Sequence, residues 1–143
     1  MQHLISLGLC TIISLALSSQ TPVSAKGDGL PRVSTIDNAI GGAGCTLWLS
    51  NSKSKKTIFF DDAVESNTRM NFDGRDTKLK MVSQRSKGKN TTTIYTANHL
   101  RVEVEIRAIA KAKYNESPNN TATIVITNNG RSKIVKAIGY CGC

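Results

Sequence analysis

Along Leu100-Arg-Val-Glu-Val-Glu-Ile-Arg-Ala108 apolar and charged residues alternate without a slip. In an extended chain successive side chains point to opposite faces. Leu100, Val102, Val104, Ile106 and Ala108 therefore share one face, and Arg101, Glu103, Glu105 and Arg107 share the other. A helix would scatter both sets around its circumference. The stretch predicts a strand with one buried and one wet face, the habit of an antiparallel sheet packed on a core.

The same period marks eight runs: Cys45 to Ser50, Lys56 to Phe60, Thr68 to Asp73, Asp76 to Gln84, Thr91 to Thr96, Leu100 to Lys113, Thr121 to Thr127 and Ser132 to Tyr140. Between them lie Asp73-Gly74, Lys87-Gly88-Lys89-Asn90, Asn98-His99, Ser117-Pro118-Asn119-Asn120 and Asn128-Asn129-Gly130. These residues tolerate the left-handed backbone of tight turns, so each junction reads as a hairpin. With no helical pattern between the runs, the chain is expected to be all-β, an antiparallel β-sandwich or small β-barrel of about eight strands. Its topology is not encoded in local pattern.

The first 25 residues contain no Asp, Glu, Lys or Arg, and Leu4 to Leu17 form an apolar run that ends before the small-residue triplet Val23-Ser24-Ala25. That is the layout of a signal peptide cleaved after Ala25, and the run is short for a membrane span. Cys10 would leave with it. Residues 26–44, with five Gly and one Pro, read as a flexible lead-in, and residues 45–143 as a single β domain. No second apolar stretch long enough to span a bilayer follows. The expected location is periplasmic or secreted.

An oxidising compartment makes the remaining cysteines, Cys45, Cys141 and Cys143, disulfide candidates. A bridge from Cys45 to one of the C-terminal pair would tie the two ends of the domain. That matters in a chain with one Trp and three Phe, whose core is thin. Sequence does not say which of Cys141 and Cys143 pairs. A rival reading, three thiolates plus His99 around Zn²⁺ or Cu(I), lacks the paired Cys-x₂₋₄-Cys spacing of such sites. Neither a metal nor any other cofactor is expected.

Catalysis finds little to stand on. His99 is the only His after the leader, and no Gly-x-Ser-x-Gly elbow is present. The carboxylate pairs Asp61/Asp62, Asp73/Asp76 and Glu103/Glu105 read as turn or solvated-face residues, because general acid–base work needs one member buried. The segment Asn71 to Asp76 lacks the spacing of a Ca²⁺ loop. The chain is not expected to be an enzyme.

Charge is the stronger signal. Nineteen Lys+Arg stand against ten Asp+Glu, a formal charge of +9. The anion-binding candidates are Lys53, Lys55 and Lys56, then Lys78 and Lys80, then Arg85, Lys87 and Lys89, with Lys111/Lys113 and Arg131/Lys133/Lys136 as further groups. Such a surface attracts polyanions without selecting among them. Dedicated nucleic-acid binding would need stacking aromatics among the lysines, and Tyr95, Tyr114 and Tyr140 are too scattered. Trp48 falls out of phase with Leu47 and Leu49, hence on the opposite face, covered by the lead-in or exposed as a binding anchor. Asn90, Asn115 and Asn119 begin N-glycosylation patterns. Three functions follow. The first is a non-catalytic exported domain binding an anionic envelope component or acidic protein. The others are an inhibitor or accessory protein of an envelope hydrolase acting through the Lys87 to Asn90 hairpin, and a thiol-based metal or redox carrier.

Overall fold

A computed structural model describes residues 29–37, 44–63, 67–109 and 119–142. The expected signal peptide, Cys143, Asn115 and the lysines at 111 and 113 lie outside these residues. The described chain is all-β, with ten strands: β1 (Val33–Ser34), β2 (Gly44–Leu49), β3 (Thr57–Asp62), β4 (Arg69–Phe72), β5 (Arg75–Lys78), β6 (Lys80–Lys87), β7 (Asn90–Ala97), β8 (Leu100–Ala108), β9 (Asn120–Asn128) and β10 (Arg131–Gly142). Two more strands form than the eight runs predicted. Val33–Ser34, within the stretch read as lead-in, pair with Phe72 and Asn71 of β4. The run from Asp76 to Gln84 is two strands, broken at Leu79.

All pairings are antiparallel, in one sheet ordered β1-β4-β3-β2-β10-β9-β8-β7-β6, with β5 on the other edge of β4. Two meanders compose it. Strands β2 to β5 pair in sequence, strands β6 to β10 pair in sequence, and β2 joins β10 between them. Their turns match the residues that need them: Asp73-Gly74 and Asn129-Gly130 have positive φ at both positions, the backbone of a type I′ hairpin turn.

Among the described residues no ladder joins the two ends of the sheet, so it is not closed. Yet Leu79 alone separates β5 from β6, which sit at opposite ends of the strand order. The sheet is therefore rolled, and its interior is the core. The Phe59 ring of β3 lies 6.0 Å from the Tyr95 ring of β7, although four strands separate them along the sheet. Leu47, Met70, Val102, Ile124 and Ile126 are fully buried there. On β8 the predicted faces hold as far as Val104, with Leu100, Val102 and Val104 buried and Arg101, Glu105 and Arg107 exposed; Ile106 is half-buried and Ala108, expected on the inner face, is exposed where the strand ends. Arg101 pairs with Glu103 along that outer face at 2.8 Å.

The outer face of the first meander is covered as well. Trp48 is only 4% exposed, which answers the question left by its phase. Its ring centroid lies 5.4 Å from that of Tyr140, and the Lys55 ammonium stands 5.8 Å over it. Phe60 is likewise buried under the Arg69 guanidinium, and Ile36, whose amide donates to the Thr57 carbonyl, is buried beside the start of β3.

Candidate functional site

Two of the three disulfide candidates are joined: Cys45 Sγ and Cys141 Sγ are bonded, with Cα atoms 4.1 Å apart. The two residues are directly opposite in the β2·β10 ladder, and a separation this short belongs to a non-hydrogen-bonded pair, where facing side chains are closest. The staple sits on the β2·β10 ladder, the one ladder that joins the two meanders among the described residues. It also removes two thiolates from any metal or redox site built on the three cysteines.

Asn119 reinforces the same joint in a way its sequence pattern did not reveal. Its Nδ2 donates to the Cys141 carbonyl and its Oδ1 accepts from the Cys141 amide, both at 3.0 Å, so a side-chain amide takes the place of a ladder partner. Asn120 Nδ2 donates to the same Oδ1. Buried at 8% exposure, Asn119 holds a strand in place and is no surface acceptor for a glycan.

The basic candidates do not gather into one patch. Lys53, Lys55 and Lys56 are exposed on the β2–β3 loop, which leaves β2 at Leu49, the end of the strand away from the disulfide. Lys78 and Lys80 flank the buried Leu79 and line a cleft of about 760 Å³. Asp61, Asp62, Ala63, Thr68, Met81 and Gln84 also line it. Leu79 is held there by its amide, which donates to the Thr68 carbonyl at 2.8 Å. Arg85, Lys87 and Lys89 extend along the β6–β7 hairpin to its tip.

Beneath the cleft a polar chain crosses the seam. The Thr68 hydroxyl donates to Asp61, and the buried Tyr95 hydroxyl hydrogen-bonds with Thr68 and Thr93. Burial, and then the Asp61 charge, push the Tyr95 hydroxyl up to about 12. The pair Asp61/Asp62 was read from sequence as solvated. The cleft that gathers it with two lysines depends on the break at Leu79, which no local signal announced. Among the described residues lining this cleft there is no His, Cys or Ser.

His99 is exposed at the β7–β8 turn, in a second cleft of about 680 Å³ shared with Asp73, Arg75 and Asn128. Among the described residues, no three His, Cys, Asp or Glu side chains come together as a metal site. No described helix is long and apolar enough to cross a membrane.

The most exposed element is β6. All eight of its residues are exposed, and it ends the strand order, paired among the described residues with β7 alone. Lys80, Arg85 and Lys87 project from it, and none forms an ion pair with a described residue, nor do Lys78 and Lys89. Comparison with protein-family models, curated proteins and solved structures found no match for the chain.

Proposed function

We propose that this protein is an exported, non-catalytic binding domain that engages an anionic partner, an envelope polymer or an acidic protein, through the basic β6–β7 hairpin. The sheet is read as a small barrel left open between β5 and β6, with the hairpin standing at the opening. One observation carries this reading: β6 is uncovered on both faces and holds its cations without internal partners. Two cations outside β6 are paired, Arg101 with Glu103 and Arg69 with Asp76 at 3.7 Å. Unbalanced, exposed cations leave a local positive potential that lowers the energy of an approaching anion and speeds its encounter.

The test is the salt dependence of binding to a short-chain polyphosphate, with the triple variant Lys80→Glu, Arg85→Glu, Lys87→Glu beside the unaltered protein. Affinity should fall about tenfold or more between roughly 50 and 200 mM salt, and the triple variant should lose binding at low salt. A flat salt response, or undiminished binding by the variant, rejects the proposal. The hydrolase-inhibitor reading uses the same exposed hairpin. It is distinguished by a protein complex that persists at high salt and is lost when the Gly88–Lys89 turn is enlarged.

A further inference from the structure

The free edge of β6 has a second property besides charge. A strand exposes two rows of backbone groups, and β6 uses one row on β7. The loop between them is the two residues Gly88 and Lys89, with Gly88 at φ 60 and Lys89 not in the left-handed region, a type II′ arrangement. The closing pair of such a hairpin, Lys87 and Asn90, exchanges both of its hydrogen bonds, and pairs then alternate. Arg85 and Ser83 therefore direct their amides to β7, and Gln84 and Ser86 direct theirs outward. The side chains agree. Gln84 reaches Thr93 at 3.1 Å and Ser86 reaches Thr91 at 3.1 Å, the close approach of non-hydrogen-bonded pairs. Beyond them the register slips at Val82, and Met81 and Val82 stand 49% and 60% exposed.

We infer that this edge is a strand-acceptor site that takes up an extended acidic segment of a partner protein, pairing with the outward amides and carbonyls of Gln84 and Ser86. The inference rests on the binding role proposed above and names its site and partner. Unpaired edges recruit strands in this way, with main-chain bonds supplying affinity and side chains supplying choice. The choice here is made by charge. A second copy lying antiparallel along the full edge would set Lys80 against Lys87 at both ends and bring together three cations from each chain. A segment carrying Glu or Asp at alternate positions would neutralise Lys80, Arg85 and Lys87 as it pairs, while its intervening side chains cover Met81 and Val82. The lysines that repel self-pairing are thus the ones that select an acidic strand.

The experiment measures, by fluorescence anisotropy, binding of an eight-residue peptide of alternating Glu and Thr. A twin of identical charge is N-methylated at alternate residues so that it cannot pair on the facing edge. The twin should bind about tenfold or more weakly, and Gln84→Pro, which removes an amide β7 does not use, should cost the peptide a similar factor. Melting curves establish that Gln84→Pro is folded, and slowed amide exchange at Gln84 and Ser86 in the complex gives a readout that needs no substitution. If peptide and twin bind alike, or the peptide fails to bind while polyphosphate does, strand addition is overturned and the basic-surface reading stands. If the Lys80→Glu, Arg85→Glu, Lys87→Glu protein binds peptide and polyphosphate undiminished, or neither probe binds the unaltered protein, both fall.

Discussion

Severing the Cys45–Cys141 bridge tests the account of how the two meanders are held together. The cysteines are 96 residues apart in sequence, so the bridge closes almost the whole described chain into one loop in the unfolded state. For a loop of that length the chain-entropy argument gives a stabilisation of about 4.5 kcal/mol. Against the net stability of an ordinary domain, roughly 5–15 kcal/mol, that is a large fraction. At roughly 3–5 °C per kcal/mol for a chain of this size, Cys45→Ser should lower the melting temperature by about 15–20 °C. The assay is thermal unfolding followed by circular dichroism, on oxidised protein, on reduced protein and on Cys45→Ser. Cys141→Ser is best measured with Cys143→Ser present, so that no second thiol can capture Cys45. Reduction should reproduce the effect of the substitution, and a proteolytic map of the oxidised protein should recover a fragment linking Cys45 to Cys141. A melting temperature within about 3 °C of the parent, which is under 1 kcal/mol, would refute the reasoning, as would a fragment linking Cys45 to Cys143.

Asn119→Ala deletes both bonds to the Cys141 main chain and should destabilise by about 2–3 kcal/mol in urea unfolding; Asn119→Asp, which keeps only the acceptor, should fall between. Gly139→Ala places a Cβ 2.0 Å from the Thr46 carbonyl oxygen, so the β2·β10 joint must spread, with a loss of about 3 kcal/mol by the same measurement. The folded protein retains the Tyr95 proton up to about pH 12, whereas the unfolded chain releases it near the ordinary value of 10.0. The unfolded state binds fewer protons between those values, so stability is full below pH 10 and declines as pH rises towards 12, and Tyr95→Phe should flatten that decline in melting curves. Replacing Lys80, Arg85 and Lys87 with Thr should produce self-association at sedimentation equilibrium, because the repulsion that keeps two β6 edges apart is gone.

What could be read from the chain was whatever a single strand or turn decides for itself. Leu100 to Ala108 announces its faces because alternation is local, and Asn129-Gly130 announces its turn because left-handed backbone selects those residues. Trp48 was placed on the correct face by parity, but what covers it comes from Tyr140, nearly a hundred residues away. Parity could not choose between Cys141 and Cys143, since residues two apart in a strand point the same way. Only the register of β10 on β2, a non-local property, sets Cys141 opposite Cys45. Asn119 carried a turn and glycosylation pattern whose overriding use is a clamp on a strand 22 residues further along. The run from Leu100 was drawn as far as Lys113, yet the described strand ends at Ala108, where its amide donates to the Lys89 carbonyl of the neighbouring turn.

The break at Leu79 links the fold to the proposed site. A strand has two hydrogen-bonding edges. Had residues 75–87 run straight with both edges paired, β4 and β7 would have flanked one strand and the sheet would have closed. Instead β5 spends one edge on β4, and β6, after the buried Leu79, spends its pairing on β7. Each half of the segment is thus left with one edge that finds no described partner. Leu79 anchors the switch by burying its side chain and by giving its amide to Thr68, whose hydroxyl bonds Asp61. The cleft lined by two carboxylates and two lysines and the open edge of β6 therefore have a common origin. Lys80, Arg85 and Lys87 on the edge so created, with a bulge at Val82, are the devices by which proteins discourage indiscriminate edge pairing without covering the edge. An edge guarded by charge and left open would repel its own copies and admit the opposite charge, and the proposed binding role of β6 rests on that asymmetry.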